Sequence, residues 1–333
     1  MSTSSGGAVR LSLACWDYDR TRALQSGRVR PSGIDLIPLV LPVEETFHRM
    51  LAHAEFDVAE LSLSSYVLGF SRDDPRFIAI PVFPSRVFRH GSIYVRTGGD
   101  VQRPEDLRDR VVGVPEYQMT ASVWIRGMLA DRHGVPADSV RYRTGGLHDA
   151  GRTEKIPLEL PASFDVTPIP PDRTLNDLLV AGDIDALYTA RAPRAFAEGT
   201  VRRLFDDPRS AERDYFRDTG IFPIMHTVVI RRDVYEANRW VARSLLDAFT
   251  ASKDLVYPEL HEITALKSML PWGVNEAEDT VALMGPDFWA YGIEANRALL
   301  ETFLRYSHEQ GLARRPLTVE EIFAPETGGR LLI

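Results

Sequence analysis

The order of apolar runs over the first 83 residues constrains the fold of this chain more than any other feature. Short runs rich in apolar residues, typical of buried strands, alternate with segments whose apolar residues have helical spacing. We predict strands at residues 11–15, 34–39, 57–61 and 77–83, and helices near 21–25 and at 43–53 and 62–70. Such β-α-β-α-β alternation predicts a mostly parallel sheet with helices on both faces.

The alternation starts again after a break at Gly98 and Gly99. We predict a further strand at 93–96, before the break, and after it a second α/β set with strands at 111–114, 140–142, 184–188 and 201–205 and helices at 119–132 and 175–180. A β-branched strand at 224–230 and helices at 235–256, 259–269, 276–283 and 295–309 complete the pattern.

The chain therefore has the pattern of a two-lobed α/β protein, and its 333 residues suffice for about two domains. Residues 8–95 and 221–333 are predicted to form the first lobe, and residues 96–220 a second lobe inserted into it. The chain would cross between lobes near 84–98 and again near 218–228, which makes a natural hinge around a ligand. An excursion rich in Gly and Pro at 147–171 is typical of a functional or mobile loop.

Composition excludes several classes of function. A net charge of −8 disfavours a nucleic-acid partner. Cys15 is the only cysteine, so neither a disulfide within the chain nor a cysteine-based zinc site is possible. No recognisable secretory signal and no apolar run near the roughly 20 residues of a membrane span are present. We expect a cytoplasmic protein without a membrane partner; formation of a homo-oligomer stays open.

The first candidate site lies at the predicted first crossing, where residues 84–90 contain Arg86, Arg89 and His90. Ligands of open α/β sheets lie beyond the carboxyl ends of the strands, and this segment follows a strand. Guanidinium groups bind carboxylates in a bidentate manner, so the segment is interpreted as an anion clamp. The alternative is a solvated basic connector.

Other candidates follow neighbouring strands. Glu116, Gln118 and Thr120 lie between a strand and a helix, where free N–H groups favour an anion, although a plain helix cap is the alternative. His226 lies on the return crossing and is either a core histidine or a group for proton transfer near neutral pH.

Two further loops supply weaker candidates for the binding of an anionic aromatic ligand. Trp16, Tyr18 and Arg20 follow the first strand, and Arg191 follows the strand at 184–188. The rings would stack on a ligand and the guanidinium groups would meet its anion; the alternative is a capped turn with surface salt bridges. Glu44 is interpreted, with its neighbour Glu45, only as the acidic first turn of a helix.

Several of these segments resemble the 4,5-dihydroxyphthalate decarboxylase family. The matching runs are VFPSRVFRH at 82–90, VGVPEYQMT at 112–120, WIRG at 124–127, PIMHTVVIR at 223–231 and LMGPDFW at 283–289. The resemblance covers residues 11–327 and implies a fold similar to that of type 2 periplasmic binding proteins. It also implies loss of CO₂ from a hydroxylated benzene dicarboxylate.

The residues allow a mechanism for such a reaction. Protonation of the ring carbon that carries the carboxylate, assisted by a para hydroxyl, avoids an aryl anion. We assign Arg86 and Arg89 to the carboxylates, His226 as the favoured proton donor and His90 as the second choice. Glu116 would accept from the phenol or orient a histidine. In principle the reaction requires no metal and no organic cofactor, and no metal site is predicted.

Three other functions remain open on the same fold, because fold alone does not determine function. The first is a non-catalytic solute-binding protein, which a signal peptide or a lipid-anchored cysteine would favour. The second is another enzyme, such as a dehydratase or hydrolase, and the third is a ligand sensor without chemistry of its own.

Overall fold

Eleven β-strands form two mixed sheets in the parts of the chain that the structure describes. The structure is a computed structural model, and it describes residues 7–74 and 76–328. The strands are Val9–Ala14 (β1), Ile34–Leu39 (β2), Val58–Ser62 (β3), Phe77–Ile80 (β4), Ile93–Arg96 (β5), Val111–Val114 (β6), Arg141–Thr144 (β7), Val166–Pro168 (β8), Ala186–Tyr188 (β9), Val201–Arg203 (β10) and His226–Arg231 (β11).

Helices cover both sheets. They are Asp19–Gln25 (α1), Val43–His53 (α2), Leu63–Ser71 (α3), Thr120–His133 (α4), Leu175–Ala181 (α5), Arg194–Ala197 (α6), Pro208–Thr219 (α7), Arg232–Ala237 (α8), Val241–Asp254 (α9), Val256–Leu260 (α10), Gly273–Met284 (α11), Arg297–Glu309 (α12) and Val319–Ile322 (α13). Single 3-10 turns lie at His90–Ser92, Pro104–Leu107, Ala137–Ser139, Glu294–Asn296 and Pro325–Thr327. In the described residues, no helix combines the length and the apolar character that a membrane span requires.

The first sheet has the strand order β2-β1-β3-β11-β4, and the second has the order β10-β5-β9-β6-β7-β8. In the first sheet β1 is parallel to β2 and β3, whereas β11 runs antiparallel to β3 and β4. In the second, β6 to β9 are parallel and β5 runs antiparallel to β9 and β10. Each lobe is therefore mostly parallel, and the antiparallel strands are those that follow a crossing.

The two crossing segments lie side by side. The Ser85 carbonyl accepts hydrogen bonds from the Met225 amide at 2.8 Å and the His226 amide at 3.3 Å, and the Val87 amide donates to the Pro223 carbonyl at 3.1 Å. This short antiparallel ribbon joins the lobes, and both strands cross within the predicted ranges. The predicted lobe boundary after residue 95 was wrong, because β5 already pairs within the second sheet. Residues 329–333 of the predicted first lobe lie outside the described residues.

Helix α4 is anchored firmly between the lobes. Trp124 donates from Nε1 to the Ile224 carbonyl of the second crossing at 2.8 Å. A Cβ atom on Gly127 would lie 2.1 Å from the ring of Tyr306 on α12, so only glycine permits this close approach. The first residues of α4 are thereby held at the cleft between the sheets.

Strand β3 lies at the centre of the first sheet, and all five of its residues are buried. Four of them are apolar or small, as expected for a strand covered on both faces. The fifth is Glu60, a carboxylate without solvent exposure. A buried charge is costly unless it is paired and hydrogen-bonded, so Glu60 requires partners from neighbouring elements.

Candidate active site

A cavity of about 210 Å³ opens between the lobes where the strands and crossings end. Both crossings contribute to its wall, Arg89 from the first and His226 from the second. The first lobe adds hydroxyl groups and one aromatic ring, and the second lobe adds cationic side chains. Its size, its apolar surface and its cationic side chains suit a small anionic ligand with a single ring.

His226 forms a close pair with Glu60 at this cavity. Its Nδ1 lies 2.6 Å from Oε1 of Glu60, and its ring packs edge-on against Phe47 at 4.8 Å between centroids. The imidazole is largely buried, with 17% of its side chain exposed. Because a carboxylate only accepts hydrogen bonds, Nδ1 is the protonated nitrogen of this contact. Nε2 is then the nitrogen available to a ligand.

Glu60 is held by further donors on the strand-to-helix turn after β1. Oε1 accepts from the Tyr18 hydroxyl at 2.7 Å, and Oε2 accepts from the Trp16 amide at 3.1 Å and lies 3.5 Å from the Cys15 sulfur. Burial alone would raise the pKa of Glu60, but the hydrogen bonds and charge from His226, with those from Tyr18 and Trp16, bring it below its ordinary value. The carboxylate therefore stays ionised behind the imidazole at neutral pH.

Four cationic side chains reach the cavity from the hinge and the second lobe: Arg89, Arg152, Lys155 and Arg191. Arg89 is largely buried, which lowers its pKa to about 10 and leaves it charged at neutral pH. Arg152 and Lys155 both bind Oε1 of the buried Glu116, Arg152 through Nε at 3.0 Å and Nη2 at 2.6 Å. Glu116 thus fixes two cations in the cavity wall.

Two helix starts meet at the cavity floor. The hydroxyl groups of Ser62, before α3, and Thr120, at the start of α4, lie 2.9 Å apart, and the Ser64 amide donates to Thr120 at 3.1 Å. No side chain caps α4, and Ala121 in its first turn lines the cavity. The start of an uncapped helix favours an anion through its free N–H groups and its dipole.

The mouth of the cavity is spanned by an ion pair between the lobes. Arg191, after β9, donates from Nη2 to Oε1 of Glu44 on α2 at 2.7 Å. Both side chains are partly exposed, so we assign little stability to the pair. Its position matters more, because both residues line the cavity.

Arg86 lies elsewhere, which corrects the assignment from sequence. Its guanidinium is buried and donates to the carbonyls of Phe222 at 3.2 Å and Ala290 at 2.7 Å and to Oδ1 of Asn296 at 2.5 Å. It borders a separate cavity of about 250 Å³ on the C-terminal segment, and it does not line the cavity that contains His226. Its donors tie the two crossings to the C-terminal segment instead of gripping a carboxylate.

His90 and Gln118 also lie away from the cavity. His90 is buried between the rings of Phe205 and Tyr215, each 5.2 Å from its own, and burial lowers its pKa to about 4. It is neutral at pH 7 and is not placed to donate a proton. Gln118 is fully buried and donates to Oε2 of Glu154 at 3.0 Å.

The remaining predicted residues divide between the wall and its support. Arg89, Thr120, Arg191 and His226 line the cavity. Glu116 does not line the cavity and lies behind Arg152 and Lys155. Glu60, not Glu116, contacts the histidine.

The aromatic cluster after β1 supports the site from behind. Tyr18 holds Glu60, Trp16 contributes its amide, and the Arg20 guanidinium lies 4.1 Å from the ring centroids of both Tyr18 and Trp289. Arg20 also donates from Nε to the Pro84 carbonyl at 2.6 Å, which fixes the start of the first crossing.

Sequence reasoning missed Glu60, Arg152, Lys155 and Glu44 as site residues. Glu60 carried a signal, since it is a lone carboxylate in the otherwise apolar strand Val58–Ser62. Lys155 carried a fainter one, as one of only 3 lysines beside 36 arginines. In residues 7–74 and 76–328, no group of three or more His, Cys, Asp or Glu side chains is arranged to hold a metal ion.

The fold and site define a class of protein. The chain is similar to the periplasmic aliphatic sulphonate binding protein SsuA from Escherichia coli, with a TM-score of 0.53 and 12% identity over 96% of this chain and 98% of that one. It is also similar to the alkanesulfonate-binding protein SsuA from Xanthomonas axonopodis pv. citri bound to MOPS, with a TM-score of 0.51, 9% identity and coverage of 96% and 98%. The protein thus has the two-lobed fold of periplasmic binding proteins, as predicted.

Its family follows from closer relatives. The chain is 39% identical over 319 residues to the 4,5-dihydroxyphthalate decarboxylase of Comamonas testosteroni, covering 95% of this chain and 97% of that protein. It is 43% identical over 211 residues to the enzyme of the same name from Pseudomonas putida, covering 63% and 82%. No family model matches the chain. The protein belongs to the 4,5-dihydroxyphthalate decarboxylase family.

Proposed function

We propose that this protein decarboxylates 4,5-dihydroxyphthalate to 3,4-dihydroxybenzoate and CO₂ without a cofactor. The observation that carries the proposal is the pair of His226 and Glu60 at the wall of a cationic cavity between two lobes. The names of the two relatives support the same reaction. The pair supplies a proton and the cations hold an anion, and this chemistry requires both.

The chemical difficulty is the ring carbon, because simple loss of CO₂ would leave an aryl anion. In 4,5-dihydroxyphthalate the two carboxylates are equivalent by symmetry, and each has a hydroxyl para to it. Electron release from that hydroxyl lets the ring carbon accept a proton from Nε2 of protonated His226. The bond to the carboxylate then breaks, its electron pair restores the aromatic ring, and CO₂ leaves. His226 ends neutral and regains its proton from solvent.

Each group has a role that follows from its contacts. Glu60 keeps the imidazole oriented by accepting from Nδ1, as a carboxylate behind a catalytic histidine does. Arg89, Arg152, Lys155 and the start of α4 would hold the carboxylates, the last two cations being fixed by Glu116. Exclusion of water between the lobes would strengthen these charge interactions.

A non-catalytic solute-binding protein would share the fold and the cations, but the Glu60 contact disfavours it. A fully buried carboxylate at 2.6 Å from His226 adds negative charge behind the anion site. A solute-binding protein gains nothing for an anionic ligand from this negative charge, whereas a proton-donating histidine is oriented by it. We also propose that the reaction belongs to phthalate degradation and takes place in the cytoplasm. The nature of the substrate supports the assignment to phthalate degradation, and cell fractionation tests the location in the cytoplasm.

Incubation of the purified protein with 4,5-dihydroxyphthalate tests the proposal, with CO₂ and product mass as the measurements. We expect one CO₂ for each 3,4-dihydroxybenzoate formed. Phthalate without hydroxyl groups is the matched control, and we expect it to bind without turnover. Binding of 4,5-dihydroxyphthalate without release of CO₂ would overturn the proposal in favour of a solute-binding protein.

A further inference from the structure

Glu44 stands out among the residues that line the inter-lobe cavity. Of those the structure describes, it is the only one with a carboxylate; the others are His226 and residues with cationic, hydroxyl or apolar side chains. It lies in the first turn of α2 in the first lobe, whereas Arg152 and Lys155 belong to the second. The mechanism above gives Glu44 no task.

The substrate offers a match for this carboxylate. Resting on the proposed function, the ligand presents two carboxylates on one edge of its ring and two adjacent hydroxyl groups on the opposite edge. The side chains of Arg89, Arg152 and Lys155 are donors only and cannot accept from a hydroxyl. The hydroxyl groups of Ser62, Ser65, Ser85 and Thr120 also line the cavity and can accept a hydrogen bond, but a hydroxyl is not a base that takes up the proton of a phenol. A carboxylate has two acceptor oxygens, which suit two adjacent O–H donors.

We propose that Glu44 recognises the two ring hydroxyl groups and accepts the proton of the one para to the departing carboxylate. As that O–H bond breaks towards Glu44, its electrons move into the ring, and the ring carbon takes a proton from His226. When CO₂ leaves, the bond between the ring carbon and the carboxylate breaks. The electron pair of this carbon–carbon bond passes through the ring to the oxygen, which recovers its proton from Glu44. The balance remains one proton taken from His226 and one CO₂ released.

The Arg191 contact fits this role. Arg191 donates to Oε1 of Glu44 from the facing lobe at 2.7 Å, and each carboxylate oxygen has a further lone pair for a ligand hydroxyl. The hydroxyl edge of the substrate would therefore be bound where the lobes meet. Recognition of the hydroxyl groups and closure of the lobes would involve the same carboxylate.

Glu44→Gln tests this inference, and Glu45→Gln is its matched control. Glu45 lies in the same helical turn, but it pairs with Arg49 at 2.8 Å and does not line the cavity. We expect Glu44→Gln to lower the turnover number for 4,5-dihydroxyphthalate by roughly 10² or more. Its Kd for phthalate, which has no hydroxyl groups, should stay within about twofold of that of the native protein, whereas the tighter binding of 4,5-dihydroxyphthalate over phthalate is lost.

The two Kd values separate this inference from the proposed function. If the native protein releases no CO₂, the proposed function fails. Recognition of the hydroxyl groups by Glu44 is still supported in that case if Glu44→Gln loses the preference for 4,5-dihydroxyphthalate over phthalate and Glu45→Gln keeps it. If Glu44→Gln keeps both the turnover and the preference of Glu45→Gln, the inference is overturned. Glu44→Asp, with the same charge on a shorter side chain, should retain part of the preference for 4,5-dihydroxyphthalate. The melting temperatures of Glu44→Gln and Glu44→Asp show whether both variants are folded, so that a loss of binding is not mistaken for unfolding.

Discussion

Nδ1 of His226 and Oε1 of Glu60 lie 2.6 Å apart although 166 residues separate them in the chain. The contact joins neighbouring strands β11 and β3 at their cavity ends, where His226 is in register with Ser62. It combines a fully buried carboxylate with the one histidine that lines the cavity among the described residues. The site is therefore a consequence of the strand that returns from the second lobe.

His226→Asn should abolish most of the activity. We expect the turnover number for 4,5-dihydroxyphthalate to fall about 10²–10⁴-fold, because an amide cannot supply the proton. The Kd for phthalate should change little, since the cations remain. Release of CO₂ and ligand titration measure the two effects, with His48→Asn on the exposed face of α2 as the control. Unchanged turnover would remove His226 from the mechanism.

Glu60→Gln should separate catalysis from binding. The amide keeps the shape of the side chain but replaces the charged acceptor of Nδ1 by a neutral group, so the imidazole is held less firmly and we expect a lower kcat with little change in KM. Glu60 has a lowered pKa in the folded protein, so it contributes stability that is present above its ordinary pKa of about 4.3 and is lost as pH falls further. Thermal melts below pH 4.5 should thus be less pH-dependent in the variant. A rise in KM alone would contradict a positioning role.

Lys155→Met should weaken the binding of dicarboxylates. A charge-assisted hydrogen bond contributes about 1.5–3 kcal/mol, so we expect the Kd for phthalate to rise roughly 10- to 100-fold. Lys267→Met, at an exposed lysine outside the cavity, is the matched control. Calorimetric titration of both variants gives the comparison. Equal Kd values for the two would show that Lys155 does not touch the ligand.

Arg86→Lys should affect stability and not ligand affinity. Lysine cannot reach the Phe222 carbonyl, the Ala290 carbonyl and Asn296 together, so we expect a loss of about 1–3 kcal/mol in the free energy of unfolding. Denaturant melts and the Kd for phthalate are the measurements. A large rise in Kd with an unchanged melt would restore the role assigned to Arg86 from sequence.

His90→Phe should make the protein less sensitive to mild acid. The pKa of His90 is about 4 in the folded protein, because burial disfavours its charged form, against about 6.5 when unfolded. The unfolded state binds the extra proton in this window, so stability is complete above pH 6.5 and falls between pH 6.5 and 4. We expect a loss of roughly 2 kcal/mol from pH 7 to pH 5 in the native protein and a smaller loss in the variant.

Local sequence patterns predicted most elements, because strand and helix periodicity reflect contacts within each element. The bounds Ile34–Leu39, Val43–His53, Ile93–Arg96 and Val111–Val114 were predicted to the residue. The predicted helix at 259–269 was wrong. Its apolar residues have helical spacing, but Ile263, Leu266 and Met269 are exposed, so no packed face supports a helix there.

The site was harder to predict than the fold, since its contacts are distant in sequence. Residues 84–90 contain two arginines that look alike, yet Arg89 lines the cavity and Arg86 is buried on the other side of the crossing. Glu60 and Glu116 likewise could not be distinguished from the local sequence. Each is a single carboxylate after or within a buried strand, and only the tertiary structure determines which one meets His226.

The ribbon formed by the crossings has a mechanical consequence. Because the His226 amide donates to the Ser85 carbonyl, the proposed proton donor is attached to the ribbon itself, which would be the pivot of a movement between the lobes. Arg89 lies on the same ribbon, whereas Arg152 and Lys155 belong to the second lobe. Opening of the cleft would then allow ligands to exchange, and the orientation of the His226 imidazole would be preserved from one turnover to the next.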